Sequence, residues 1–189
     1  MMTSVISLPS FDEILAAKAR LQGIAFRTPL IKLNYPTENI EIYLKCEQFQ
    51  PISSFKIRAA GNIVNYLPEV EKRNGIVTAS AGNMAQGLAW MAKHQNLTCR
   101  VLVPDTANQV KIKAIERLGA EVRKCTWDEW WQVIITHQCP MLEGYFIHPV
   151  CNRQVIAGNA TIGLEILEDL PDCDAIIGSD LLFLDHSSC

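Results

Sequence analysis

Residues 75–87 read GIVTASAGNMAQG. Ile76, Val77 and Ala79 form a short apolar run, Gly82 breaks it, and helical spacing begins at once and continues to residue 94. An apolar run of four or five residues that passes through a glycine turn into a helix is the first half of a β-α-β unit. The same order recurs outward from this point. Strands are predicted at 99–103 (CRVLV), 120–124 (AEVRK) and 144–147 (GYFI), with helices at 83–94, 107–118 and 127–137 between them. In the second of these helices Ala107, Val110, Ala114 and Leu118 share a stripe, and Gly119 supplies the stop. Upstream, the spacing predicts helices over 11–22 and 55–66 and a half-buried strand over 40–45; downstream, a helix over 158–169 leads into a strand over 174–178. This alternation predicts an α/β fold with a parallel sheet and helices on both faces. Such sheets bind ligands at the carboxyl ends of their strands, so site residues are expected in the strand-to-helix turns.

Composition narrows the function classes. The chain has 189 residues, 49% hydrophobic and 20% charged, a globular mixture. Its 17 basic and 20 acidic residues give a formal charge of −3 with no basic cluster, which speaks against nucleic acid as a partner. No apolar run approaches the ~20 residues of a membrane span, and the opening MMTSVISLPSFDE lacks the pattern of a signal peptide, so a cytoplasmic protein is expected. The seven cysteines are odd in number and widely spaced, and most read as small buried hydrophobes in a reducing compartment. His137, Cys139, His148 and Cys151 are zinc-type ligands, but H-x-C…H-x-x-C matches no usual zinc spacing, and no metal site is expected. Trp127, Trp130 and Trp131 sit at helical spacing and read as core or interface.

Three segments carry polar groups suited to chemistry. In SSFKIR, Ser53 to Arg58, the serines are good helix caps and place Lys56 in the first helical turn. There an ammonium faces the positive end of the helix dipole, whereas the amine, the nucleophile that makes a Schiff base with an aldehyde, does not. In TASAGNMAQG, Thr78 to Gly87, the backbone N–H groups of a helix start form an anion cradle, Gly82 permits close approach, and Asn83 adds an amide donor. This is neither a G-K-[ST] phosphate loop nor a G-x-G-x-x-G fingerprint, and an ordinary capped turn accounts for it equally well. In HPVCNRQVIAGNATIGLEIL, His148 to Leu167, Gly158 and Asn159 read as a helix start, with His148 structural.

Taken together, KCEQFQPISSFKIRAAGN, SAGNMAQG and HPVCNRQVIAGNATIGLEILEDLPDCDAII resemble, in order, the segments of fold-type II pyridoxal-phosphate enzymes, most of all the threonine/serine dehydratase and serine racemase branch. The likeness covers about residues 10–177. It implies the tryptophan synthase beta-like fold, with residues 53–148 as a complete small domain and 1–52 and 149–189 as parts of a larger one. It implies that Lys56 carries pyridoxal 5′-phosphate, that Phe55 lies beside the cofactor ring, and that Asn83 meets its 3-hydroxyl. Ser80, Ala81, Gly82, Asn83 and Met84 would then hold the α-carboxylate of an amino-acid substrate. The implied reaction is loss of a β-hydroxyl from a hydroxy amino acid such as serine or threonine, giving a 2-oxo acid and ammonia, with the freed Lys56 amine as base. Racemases of this branch carry a serine directly before the loop glycine; here that position is Ala81, which favours elimination. The bulk of Met84 hints at a larger substrate side chain.

The sequence departs from the family pattern at four places. Ser53, Ala59 and Ala160 stand where glycines are usual, each adding a Cβ where the backbone approaches closely or needs positive φ. After Asp174–Ile177 the family runs into a tetraglycine loop for the cofactor phosphate, whereas this chain reads GSDLLFLDHSSC. A shortened product with an unrelated tail from about residue 178 is therefore expected, with LLFL covering an exposed strand edge. That leaves, beside the dehydratase, the alternatives of a catalytically silent chain that associates with full-length subunits and of a serine racemase. The resemblance also implies a homodimer.

Overall fold

The computed structural model describes residues 8–35 and 40–178. Helix α1 (Phe11–Arg20) opens on a reciprocal cap: the Ser10 hydroxyl accepts the Glu13 N–H, and the Glu13 carboxylate accepts the Ser10 N–H. The strand expected at 40–45 is shorter, Tyr43–Lys45 (β2), and pairs antiparallel with Leu30–Lys32 (β1). Then follow α2 (Lys56–Tyr66), the short α3 (Glu69–Lys72), β3 (Ile76–Ala79) and α4 (Asn83–Gln95). Next come β4 (Cys99–Pro104), α5 (Gln109–Arg117), β5 (Glu121–Cys125), α6 (Trp127–Thr136), β6 (Tyr145–Phe146) and α7 (Arg153–Asp169).

Strands β3 to β6 form one parallel sheet in the order β5-β4-β3-β6, as the alternation predicts. Side chains of successive strand residues point to opposite faces, so each strand feeds two apolar layers. On one face Ile76, Val101 and Val103 pack with Ile57 and Ile63 of α2, Leu88 and Met91 of α4, and Ile112 and Ile115 of α5. On the other, Ala79, Leu102 and Cys125 meet Val133 and Ile134 of α6, with Trp130 against them. Trp127 and Trp131 stack on each other and are half exposed. Helix α7 lies across α2, with α1 beside both.

Two predicted elements change. Helix α7 starts at Arg153, because the Asn152 side chain accepts the N–H groups of Gln154 and Val155 and caps it there. Gly158 and Asn159 therefore sit inside the helix, not at its start. Residues 174–178 form no strand: they meet no sheet partner among the described residues, and Ile177 is 97% exposed. The LLFL segment falls outside the described residues. No helix of the described residues is long and apolar enough to cross a membrane.

Candidate active site

The carboxyl end of β3 runs through Ser80, Ala81 and Gly82 into α4, where sheet topology predicts ligand binding. The first helical hydrogen bond of α4 runs from the Gln86 N–H to the Gly82 carbonyl, so the N–H groups of Asn83, Met84 and Ala85 precede it. The Ser80 hydroxyl accepts the Gly82 N–H and shapes the turn. A Cβ placed on Gly82 would meet only the Ser80 Oγ, at 3.9 Å, so the backbone of this turn is open to an approaching group. Asn83 is exposed, while Ser80, Ala81 and Gly82 are half buried.

Helix α2 begins at Lys56. Its N-cap residue is Phe55 and no side chain caps it, so the serines do not act as the expected caps; the Ser54 hydroxyl only accepts the Lys56 N–H, at 3.3 Å, and the Phe55 ring lies 4.8 Å from the Lys56 Nζ. Ser53 takes φ 55°, the left-handed conformation anticipated where a glycine is usual. The two helix starts meet at Gly87: a Cβ there would lie 3.0 Å from the Ala60 Cβ and 3.1 Å from the Lys56 carbonyl oxygen. Asn83 and Gly87 are four residues apart and share one face of α4. The face of α4 that carries Asn83 is thus the face laid on the first turn of α2.

Met84 departs from expectation in one respect. Its side chain is 2% exposed and belongs to the core, where it continues the stripe of Leu88 and Met91, so its bulk does not line the turn. Only its backbone N–H is available to a carboxylate.

The amine of Lys56, the amide of Asn83 and an open turn with free-facing N–H groups suit an aldehyde-bearing aromatic cofactor with a phenolic oxygen, together with a substrate carboxylate. The donor set fits pyridoxal 5′-phosphate at its aldehyde and ring. At the histidines, His137, His148 and Cys151 bring ligand atoms within 4.8 Å of one another, without Cys139. The His148 Nδ1 accepts the N–H groups of Val150 and Cys151, at 3.2 and 2.7 Å, which leaves Nε2–H to donate to the Ile134 carbonyl. Both nitrogens are spent on backbone, and Cys151 is disulfide-bonded, unlike the free thiols Cys46, Cys99, Cys125, Cys139 and Cys173. Burial, followed by the neighbouring His137, pushes the His148 imidazole down to about 4.

The sequence reading passed over a buried ion network behind Lys56. Arg58 is 1% exposed. Its Nε and one terminal nitrogen donate to both oxygens of Glu47, each at 2.9 Å, and its terminal nitrogens donate to both oxygens of Glu165 at 2.7 and 2.9 Å. The Phe26 carbonyl and the Thr161 hydroxyl accept the remaining contacts at 3.0 and 3.3 Å. Lys45 bonds Glu165 at 2.6 Å, while Thr28 and Gln50 donate to Glu47, so two cations face two carboxylates. Burial raises the Glu165 carboxyl, but the hydrogen bonds from Arg58 and Lys45 outweigh it and hold it below the usual range. The signal was the phase of α7: Gln154, Gly158, Thr161 and Glu165 form a buried polar stripe at helical spacing, and a stripe of that kind needs partners on the helix it meets.

Residues 21–179 match the family model described as pyridoxal-phosphate dependent enzyme. The chain is 38% identical over 172 residues to the L-threonine ammonia-lyase of Thermotoga maritima, covering 89% of this chain and 43% of that protein. It is 38% identical over 176 residues to the serine racemase of Dictyostelium discoideum, covering 89% and 53%. The crystal structure of that racemase superposes with a TM-score of 0.76 over 89% of this chain and 56% of the racemase chain. The chain spans about half the length of the curated relatives it matches. With the lysine, the asparagine turn and the parallel sheet in place, the chain belongs to the pyridoxal-phosphate dependent enzyme family.

Proposed function

We propose that the chain is built for a pyridoxal-phosphate dependent dehydratase, an ammonia-lyase that converts a hydroxy amino acid such as L-serine or L-threonine to a 2-oxo acid and ammonia. Lys56 would hold the cofactor and Asn83 would donate to its phenolic oxygen. The bound cofactor supplies an electron sink that acidifies the substrate α-carbon. The open turn at Ser80–Gly82 and the N–H groups of Asn83 and Met84 hold the substrate carboxylate, using the positive end of α4. Once the substrate amine has displaced it from the cofactor, the freed Lys56 amine would take the α-proton. The observation that carries elimination over racemisation is Ala81: the side chain directly before the loop glycine has no proton to return to the opposite face. Residues 53–148 act as the small domain in this reading, and the stretches on either side as parts of the larger one. A homodimer in the cytoplasm is the expected setting; the five free thiols among the described residues support a reducing compartment, and the Cys151 disulfide does not.

A second reading, a chain that keeps the fold without turnover and associates with full-length subunits, is favoured by one sequence feature. Directly after Ile177 the sequence reads GSDL, so no glycine run stands at the point where the family pattern places one for a phosphate. The two readings separate in one experiment. Protein mixed with pyridoxal 5′-phosphate is trapped with borohydride, the modified peptide is located by mass, and serine and threonine are assayed for 2-oxo acid. Label at Lys56 that disappears in Lys56→Ala, together with 2-oxo acid, supports the dehydratase. Scattered label that survives Lys56→Ala sinks it.

A further inference from the structure

We infer that Arg58 is a positioning residue for Lys56, aiming its amine toward the Asn83 turn by fixing the first turn of α2 from behind; this rests on reading Lys56 as the cofactor-bearing lysine. Two residues along a helix are about 200° around its axis and about 3 Å along it. Arg58 therefore leaves α2 on the side away from Lys56. There its guanidinium is forked onto Glu47, which follows β2, and onto Glu165 of α7, so that all three of its nitrogens donate.

Backbone contacts repeat the arrangement. On the front, Gly87 of α4 lies against the Lys56 carbonyl; on the back, a Cβ at Gly158 of α7 would stand 2.4 Å from the Arg58 carbonyl oxygen. The start of α2 is thus held between two glycine-surfaced helices, and the ion network sets its rotation. A buried ion pair is weak evidence for stability, because apolar replacements of similar volume often do as well. What a doubly forked guanidinium provides, and a point charge does not, is fixed orientation.

Arg58→Lys tests this, since it keeps the two cations and two carboxylates of the network but cannot fork both acids. Two rates at Lys56 are measured by peptide mass in protein shown folded by circular dichroism: borohydride-trapped attachment of pyridoxal 5′-phosphate, and acylation by acetic anhydride, which needs no cofactor site. Attachment is expected to slow at least about tenfold, as misplacement of a reacting group by a fraction of an ångström demands. Acylation is expected to rise at least about threefold as the amine loses its fixed place. Folded Arg58→Lys with both rates within about twofold of the wild type overturns the inference. If the wild type itself takes no cofactor at Lys56, the proposed function fails, and the acylation ratio alone decides the positioning role. If Arg58→Lys does not fold, Glu47→Gln, which removes one charge at constant shape, is read by the same two rates and the same thresholds.

Discussion

Replacing Gly158 with alanine puts a methyl group into the crossing of α7 and α2. The added Cβ lies 2.4 Å from the Arg58 carbonyl oxygen and 2.9 Å from the Ala59 Cα, both backbone atoms that cannot swing aside. An ordinary contact requires the helices to part by about 1 Å. That movement carries the Arg58–Glu165 bonds from 2.7 and 2.9 Å to beyond about 3.5 Å, outside hydrogen-bond range. Overpacking costs about 1–3 kcal/mol and each lost charged hydrogen bond about 1.5–3 kcal/mol, against a gain of about 1 kcal/mol from replacing a helical glycine. The net expectation is a destabilisation of at least about 3 kcal/mol, or at least about 1.5 M in the urea midpoint at a slope of about 2 kcal/mol per M. Gly163 supplies the control, because it lies in the same helix and a Cβ there meets nothing within 4 Å. Gly163→Ala should stabilise by about 0.5–1 kcal/mol. Equilibrium urea unfolding of both variants decides the matter. Shifts of the same sign, or Gly158→Ala within about 0.5 kcal/mol of the wild type, would refute the crossing as described.

Three further outcomes are expected. The His148 imidazole is lowered from its ordinary 6.5 to about 4, so its contribution is complete above pH 6.5 and is lost as pH falls through about 4. The loss amounts to about 3 kcal/mol, and urea midpoints across that window should fall more steeply for the wild type than for His148→Gln. Ser53 holds φ 55°, and Ser53→Gly should raise the thermal midpoint, since relief of about 1 kcal/mol of left-handed strain exceeds the added chain entropy of glycine by about 0.5 kcal/mol; an unchanged or lower midpoint counts against strain there. With no glycine run after Ile177, pyridoxal and pyridoxal 5′-phosphate should attach to Lys56 at rates within about threefold of each other, and a large preference for the phosphate form would reveal a phosphate site elsewhere in the chain.

The sheet was legible because each strand is a short apolar run closed by turn residues, and such runs read the same way wherever they occur. Strand β1 was not, since three residues, Leu30–Lys32, are too few to show alternation and take their form from pairing with β2. The start of α7 was misplaced because glycine was weighed as the break, while Asn152, the stronger cap, lies six residues earlier. Met84 was read for its size beside the turn, but residues 84, 88 and 91 share a helical stripe, and that phase assigns the side chain to the core. Lys56 and Asn83 were legible as chemistry but not as neighbours. The packing of their two helices depends on Gly87, which looks like any helical glycine until α2 is laid against it.

The Arg58 network bears on how the chain is divided. Glu47 and Phe26 belong to the stretch before residue 53, Arg58 to the middle stretch, and Thr161 and Glu165 to the stretch after 148. A boundary at 52/53 or 148/149 therefore passes through a set of charges that cannot be separated without leaving buried ions unpaired, at several kcal/mol each by the usual measure of about 3–5 kcal/mol. Helix α2 faces α4 on one side and α7 on the other, so it is the shared wall of the two stretches and not the property of either. Both glycine contacts at the start of α2 and both carboxylates of the fork lie among the described residues. Orientation of the amine and retention of a phosphate are for that reason independent requirements in this chain. The first is met by packing behind the helix, whatever holds the second.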